Sequence, residues 1–316
     1  MKALVWHGER ELALEELPDP VPAPGEVVLE VALAGICGSD LHGYRGHPGP
    51  RVPPLVLGHE AVGRARGGVY TVYPLLACGT CARCRAGEDN LCEGWRLLGM
   101  HRPGVFAERV AVPERSLVAV PAGLAPERAV LAEPLACCVG ALAPHEVGPA
   151  THVLVLGCGP IGLLTAFAAA RAGAEVTAVD PVAARRAHAE RLGAAAVVAD
   201  AGEIALASFD LAVDAAGFET TWRAAIDAVR NGGSVVVVGL GQAEGALPIA
   251  TLVRRSIRLR GQFAYSRTDF AAALELLAAG DLDLAWVDEA PLADGARAFA
   301  ELVDRPGEHS KVLLRP

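Results

Sequence analysis

"THVLVLGCGPIGLLTAFAAARAGAEVTAVD", residues 151–180, reads as a strand, a glycine turn, a helix and a second strand. The apolar run 153–156 is short and stops at Gly157-x-Gly159-x-x-Gly162. A helical pattern then opens near Pro160, and Asp180 closes the next strand. The first glycine permits a tight turn, the second lets a pyrophosphate approach the backbone, and the third lets the helix lie close to the strand. The free N–H groups and positive end of the helix suit phosphate. Gly157, Gly159, Ile161 and Gly162 are therefore candidates for nucleotide binding. An acid roughly twenty residues beyond the turn completes the pattern. Asp180 can accept from both adenosine ribose hydroxyls and would repel a 2′-phosphate, which favours NAD over NADP. Arg185 either sits against the adenine or ribose, partly rescuing NADP, or is a solvated helix charge.

The alternation continues outward on the carboxy-terminal side. Residues 182–194 read as a helix, 195–199 and 211–217 as strands, 219–233 as a helix, and 234–241 and 255–263 as strands. Continuous apolar strands separated by helices indicate a parallel sheet covered on both faces, a doubly wound Rossmann-type α/β unit. Gly239, at the end of "SVVVVGLG", is a further nucleotide-side candidate. The tail carries two amphipathic helical stretches, 268–284 and 292–307, and a final strand-like "KVLLRP" expected to return to the first domain.

The first third is different. Short alternating runs punctuated by Gly and Pro, among them 26–33, "YTVYPLL" and "FAERVAVP", indicate a barrel-like domain of short strands. The expected organisation is one domain from 1–140 with 268–316, and a nucleotide-binding domain from 141–267.

The 316 residues are 52% hydrophobic and carry a net charge of −9, which bounds a globular chain and argues against nucleic acid as partner. "MKALVWHGERELALEE" becomes charged too early for a signal peptide. The uncharged stretch 153–170 is long enough to suggest a membrane span, but "GCGP" breaks it. A soluble, cytoplasmic protein is expected.

Four of the eight cysteines fall in "CGTCARCRAGEDNLC", residues 78–92. The spacing Cys78-x2-Cys81-x2-Cys84-x7-Cys92 suits a tetrahedral structural zinc, and a closed shell of thiolates leaves no room for substrate. An iron–sulfur cluster fits the spacing less well. Elsewhere Cys37, in "GICGSDLHGY", is joined by His59 and Glu60 in "LGHE" and by Glu133 in "EPLACC". Cysteine, histidine and carboxylate from distant segments can make a second zinc site with an open position. Taken singly, each also has a plain structural reading: a small core cysteine, a hydrogen-bonded histidine, a surface acid and a helix-start carboxylate.

The ordered set "AGICGSDLHGY", "PLVLGHE", "CGTCARCRAGEDNLC", "EPLACC" and "VLVLGCGPIGLL" resembles the zinc-dependent medium-chain dehydrogenase/reductase family over nearly the whole chain. It is most similar to the polyol branch, which includes sorbitol, threonine and galactitol-1-phosphate dehydrogenases. "DLHGYRGH" and "LLGMHRPGVFAE" look like the last of these. The resemblance implies a GroES-like catalytic domain beside the Rossmann domain, one catalytic and one structural zinc, and NAD-linked oxidation of a small alcohol or polyol. It implies a catalytic zinc held by Cys37 and His59, completed by Glu60, Glu133 or both; Cys137 and Cys138 follow closely and are the alternative. Ser39 and His42 would carry the alcohol proton to solvent. A homodimer or homotetramer is implied by family likeness. Tyr44, Arg45, His101 and Arg102 are candidates for substrate contact, or else solvated loop residues. The segment 61–74 is shortened relative to the family, which suggests a lost hairpin, and 199–211 is also short. Competing readings are a silent nucleotide-binding scaffold of the same fold, an L-threonine-type dehydrogenase, and a zinc-free quinone or enoyl reductase.

Overall fold

The computed structural model describes residues 1–47, 49–307 and 310–316. The chain divides into two compact units. Unit 1 comprises Met1–Glu133, Ser266–Ala279 and Leu284–Pro316; unit 2 comprises Pro134–Tyr265 and Gly280–Asp283. These divisions fall seven residues before the expected boundary at 140/141 and two before that at 267/268, and Gly280–Asp283 joins unit 2.

Unit 1 is organised around Glu26–Gly35, a ten-residue strand with alternating burial. Its first half pairs with Arg109–Pro113, and its second half pairs with Glu60–Ala65. Its last two residues also meet the strand Lys311–Arg315, which extends the sheet to Val287–Pro291. The other edge runs through Gly68–Val72 to Leu117–Ala119. A three-stranded sheet of Glu11–Glu16, Lys2–Gly8 and Leu55–Val56 completes the strand framework with the short pair Leu75–Leu76 and Arg96–Leu97.

The shortened segment 61–74 keeps its hairpin. Glu60–Ala65 and Gly68–Val72 are joined by Arg66 and Gly67 alone, both at positive φ (48° and 76°). A two-residue turn of that hand matches strand twist, so the connection was shortened without losing the pair.

The return of the carboxy-terminal strand brings a charge into the core. Lys311 is 1% exposed, and its Nζ donates to both oxygens of Glu60 (2.6 Å to Oε1) and to the carbonyl of Ile36 (2.9 Å). Glu60 is itself fully buried and lies in register opposite Gly35. The missing side chain at Gly35 makes the space: a Cβ there would sit 2.1 Å from Glu60 Oε2 and 3.2 Å from Lys311 Cε.

Unit 2 is a six-stranded parallel sheet in the order Ala196–Val198, Glu175–Val179, His152–Leu156, Phe209–Asp214, Val229–Val237, Arg258–Gly261. This is the doubly wound Rossmann arrangement, with the topology reversing between His152–Leu156 and Phe209–Asp214. The helices Pro160–Arg171, Ala183–Arg191 and Glu219–Ala228 connect the strands. The last of these ends before the expected residue 233; Val229 already begins the next strand. Two elements carried no clear periodic signal: the six-residue helix Ile249–Arg254 and the strand Val287–Pro291. No helix of the described residues is long and apolar enough to cross a membrane.

The close fit at Gly35 generates a test. Gly35→Ala must push the Glu60 carboxylate off Lys311 and leave two buried charges mismatched. A loss of about 3–5 kcal/mol is expected in urea unfolding. Gly38→Ala, where an added Cβ meets nothing within 4 Å, is expected to change stability by less than about 1 kcal/mol.

Candidate functional site

Three side chains of unit 1 converge beside the Glu60–Lys311 pair. Cys37 follows the end of the strand Glu26–Gly35 and starts the helix Gly38–Tyr44. His59 follows a sharp turn at Gly58, whose φ of +91° and contact with the Phe106 ring exclude a side chain. Glu60 opens the next strand. One ligand atom from each of Cys37, His59 and Glu60 lies within 4.8 Å of the others. Glu133, buried near the start of the helix Ala132–Leu142, does not join that trio, but its charge acts on Lys311. Cys138 lies outside the trio, and its thiol faces the carbonyls of Pro134 (3.4 Å) and Ile161 (3.3 Å). Cys137 also lies outside the cluster.

The trio is surrounded by groups that spacing did not single out. Asp40, fully buried, accepts from the Cys37 backbone N–H (3.3 Å) and places Oδ1 3.6 Å from both His59 Nδ1 and Arg51 Nη2. Burial alone would lower the His59 pKa. The negative charges of Asp40 and Cys37 overcome this and hold it well above the ordinary histidine range. Lys311 shows the same contest: burial opposes its charge, and Glu60, Cys37 and Glu133 restore it. The pocket's own acids and thiol thus favour positive charge at its centre. A thiolate, an imidazole and a carboxylate form a donor set that suits zinc. The carboxylate behind the histidine is the kind of outer partner that orients a metal-binding imidazole.

Ser39 Oγ is buried with no hydrogen-bond partner among the described residues. His42 lies three residues on, and partial enclosure with the charges of Arg45, His47 and Arg51 lowers its pKa. The suggested substrate residues divide. Tyr44 is buried edge-on against Phe299 (5.5 Å), and Arg45 donates to the Val303 carbonyl. Arg102 is paired with Glu26 (2.6 Å) and the Ala111 carbonyl. All three thus have intramolecular partners. His101 is half-buried, with Nδ1 accepting from Leu97 N–H (3.1 Å).

The second cluster, Cys78, Cys81, Cys84 and Cys92, also has its sulfurs within 4.8 Å of one another. Backbone N–H groups of Thr80 and Cys81 point at Cys78 Sγ (3.5 and 3.4 Å), and these bonds draw its pKa down to about 6. Cys84, packed 3.4 Å from Cys81 Sγ, is pushed up to about 12 by burial and its thiol neighbours. Four crowded sulfurs that cannot all ionise alone are matched by a divalent cation. The donor set and the N–H groups aimed at sulfur fit a structural zinc.

In unit 2, Gly157, Gly159, Asp180, Arg185, Asp200 and Phe218 line a cavity of about 740 Å³ at the carboxyl ends of the strands. Gly157 has φ +90° and faces Ala216; a Cβ on Gly162 would lie 1.7 Å from the Gly157 carbonyl. Gly159 faces open space as the N-cap of the helix Pro160–Arg171. Ile161 is half-buried and offers its carbonyl to Thr165 Oγ1 (2.7 Å). Gly239 allows the backbone of 215–217 to approach, since its Cβ would sit 2.5 Å from Gly217 N. Asp180 Oδ2 accepts from Cys158 N–H and Oδ1 from Val182 N–H, both at 2.8 Å, while Arg185 Nη1 stands 3.7 Å from Oδ2. The open glycine turn, helix end and fixed acid suit a dinucleotide.

Comparison with known proteins gives the same assignment. Residues 23–122 match the alcohol dehydrogenase GroES-like domain, and residues 160–279 match the zinc-binding dehydrogenase domain. The chain is 30% identical to L-galactonate-5-dehydrogenase of Escherichia coli, covering 100% of this chain and 98% of the relative. It is 31% identical to sorbitol dehydrogenase of Bacillus subtilis, with coverage of 100% and 97%. Among solved structures, an alcohol dehydrogenase of Thermus sp. ATN1 superposes with a TM-score of 0.90 at 33% identity, covering 100% and 99% of the two chains. The chain is an oxidoreductase of the alcohol dehydrogenase type, acting on CH–OH groups with zinc and a nicotinamide cofactor. It belongs to the zinc-dependent medium-chain dehydrogenase/reductase family, on its polyol dehydrogenase branch.

Proposed function

We infer that the chain oxidises the secondary hydroxyl of a polyol or polyol phosphate, with NAD preferred over NADP. The observation that carries this reading is the cluster of Cys37, His59 and Glu60, built separately from the four-cysteine loop. When bound, a zinc ion supplies Lewis-acid polarisation of the alcohol, and the nicotinamide supplies the hydride acceptor. Cys37 and His59 hold the metal. Glu60, held by Lys311, would complete the donor set, and Glu133 adds a further negative charge acting on Lys311. Asp40 fixes His59. Ser39 Oγ, without another partner, takes the alcohol proton, and His42, neutral at pH 7, passes it to solvent.

Cofactor preference rests on Asp180. Its carboxylate is held by two backbone N–H groups, so it presents fixed negative charge where a 2′-phosphate would lie. Arg185 tempers that preference from 3.7 Å. A second zinc in the four-cysteine loop, a homodimer or homotetramer, and a cytoplasmic location belong to the same reading. The strand Arg258–Gly261 is the last in its sheet, and Leu240, Ile249, Val253 and Phe263 of the same unit are exposed, which supports assembly through unit 2. The alternative scaffold role would need the zinc of the four-cysteine loop only. No feature of the site favours L-threonine over a polyol.

Metal analysis is expected to return two zinc ions per chain, and one for Cys37→Ala. The same variant should lose about a thousandfold in alcohol oxidation, equivalent to several kcal/mol of lost Lewis-acid stabilisation, and still bind NAD. Retained turnover would refute the assignment of Cys37. NADH formation across polyols, polyol phosphates and L-threonine identifies the substrate; turnover confined to NADPH-linked reduction of carbon–carbon double bonds would overturn the chemistry. Asp180→Ser should lower the kcat/KM ratio of NAD to NADP by about 10–100-fold, since a like-charge contact costs on the order of a few kcal/mol. An unchanged ratio would remove Asp180 from cofactor selection.

A further inference from the structure

Unit 2 contains a second cavity, of about 710 Å³, away from the glycine turn. It lies at the amino-terminal end of the parallel sheet, where Val153, Leu211, Ser234 and Arg258 are in register across four strands. The nucleotide turn lies at the carboxyl ends of the same strands, so the two cavities occupy opposite ends of one sheet.

The polar groups of this cavity are unevenly charged. Arg230 Nε is paired with Asp210, which also accepts from the His152 backbone N–H (2.8 Å), so that carboxylate is engaged. Arg258 and Arg260 have no carboxylate partner among the described residues. Neutral acceptors hold them instead: Arg258 donates from Nε to Ser234 Oγ (3.1 Å) and from Nη2 to the Gly232 carbonyl (3.0 Å), while Arg260 donates to the Gln262 side chain. Both guanidiniums are positioned without being neutralised. His145 completes the lining, and its Nε2 is buried with no hydrogen-bond partner among the described residues. Burial and the charges of Arg260 and Arg258 lower the His145 pKa. The remaining acid, Glu146, is exposed. Positive charge is thus gathered in a concave site on a chain whose net charge is −9.

We propose that this cavity binds a phosphate group, with the guanidiniums of Arg258 and Arg260 and His145 Nε2 as donors. Guanidinium forks match tetrahedral oxyanions, and a buried donor without a partner is satisfied by an anion oxygen. The cavity is much larger than one phosphate ion, so it also has space for the organic part of a small phosphate ester. A ligand bound to the folded sheet and not to the unfolded chain stabilises unit 2 in proportion to its concentration, independently of the reaction.

The test uses the full zinc-loaded chain with saturating NAD, which fills the glycine turn. Inorganic phosphate and methyl phosphate, an ester with no hydroxyl to oxidise, are titrated separately by calorimetry at constant ionic strength, balanced with sodium chloride. One saturable site per chain is expected, with Kd below roughly 1 mM for at least one of the two. Tighter binding of methyl phosphate assigns the site to an ester; equal or tighter binding of phosphate assigns it to the free ion. Arg258→Gln and His145→Gln should each weaken binding at least tenfold, with NAD affinity and solution mass unchanged. His145 lies off the edge strand, so its variant keeps the test valid if Arg258→Gln disturbs folding or assembly. Absence of saturable binding to both probes, or unaltered affinity in the His145 variant, would overturn the proposal.

Discussion

The buried contact between Lys311 and Glu60 sets the terms for unit 1. A fully buried carboxylate without a counter-charge carries a desolvation penalty of several kcal/mol. Lys311 meets that penalty with bonds to both oxygens and extends a third to the carbonyl of Ile36, beside Cys37. The pair therefore joins the strand that opens at Glu60, the end of the strand Glu26–Gly35 and the returning strand Lys311–Arg315. Gly35 is the space in which those three meet. Removing either charge would leave the other stranded, and enlarging Gly35 would force them apart. The metal cluster stands on this arrangement, since its carboxylate and its thiol are anchored by the same few residues.

The two cysteine-containing clusters illustrate different uses of one element. In the loop from Cys78 to Cys92, four sulfurs face one another within a short stretch, and backbone N–H groups support one of them. Such a shell is closed, and its free energy of metal binding is free energy of folding. Around Cys37, the donors are mixed, they come from separate segments, and their outer contacts are to charged side chains. A mixed set of three donors is the kind that leaves a position for an exchanging ligand when a metal is bound. The contrast follows from what surrounds each sulfur: backbone in the first case, ionised side chains in the second.

Much of this was legible in the sequence because the relevant signals are local. Apolar runs ending in glycine turns define the parallel sheet, and Cys78 to Cys92 define a metal loop within fifteen residues. Cys37, His59 and Glu60 were readable as donors from residue type. Their supports were not. Lys311 is 251 positions from Glu60, beyond the reach of any periodicity, although composition held a hint: Lys2 and Lys311 are the chain's two lysines among 28 basic residues. Asp40 was overlooked because an acid in a first helical turn looks like an ordinary cap. For Tyr44, Arg45 and Arg102 the sequence left substrate contact and solvated loop open, because their contacts with Phe299, Val303 and Glu26 are equally distant. The helix expected through 233 ended at Ala228 because Val229 pairs with Phe209 in the sheet, a tertiary preference that local propensity does not register.

The interleaving of unit 1 with unit 2 also orders events during synthesis. Residues 134–265 leave the ribosome as a continuous α/β segment and can fold as one body, while the strand Lys311–Arg315 does not yet exist. Through that interval Glu60 has no lysine, and the sheet that will bury it is missing an interior strand. The nucleotide unit can therefore form first, while the cluster of Cys37, His59 and Glu60 acquires its final electrostatics only when the chain has passed residue 311. Nucleotide affinity alone would therefore count as native a chain whose carboxy-terminal strand had not yet docked.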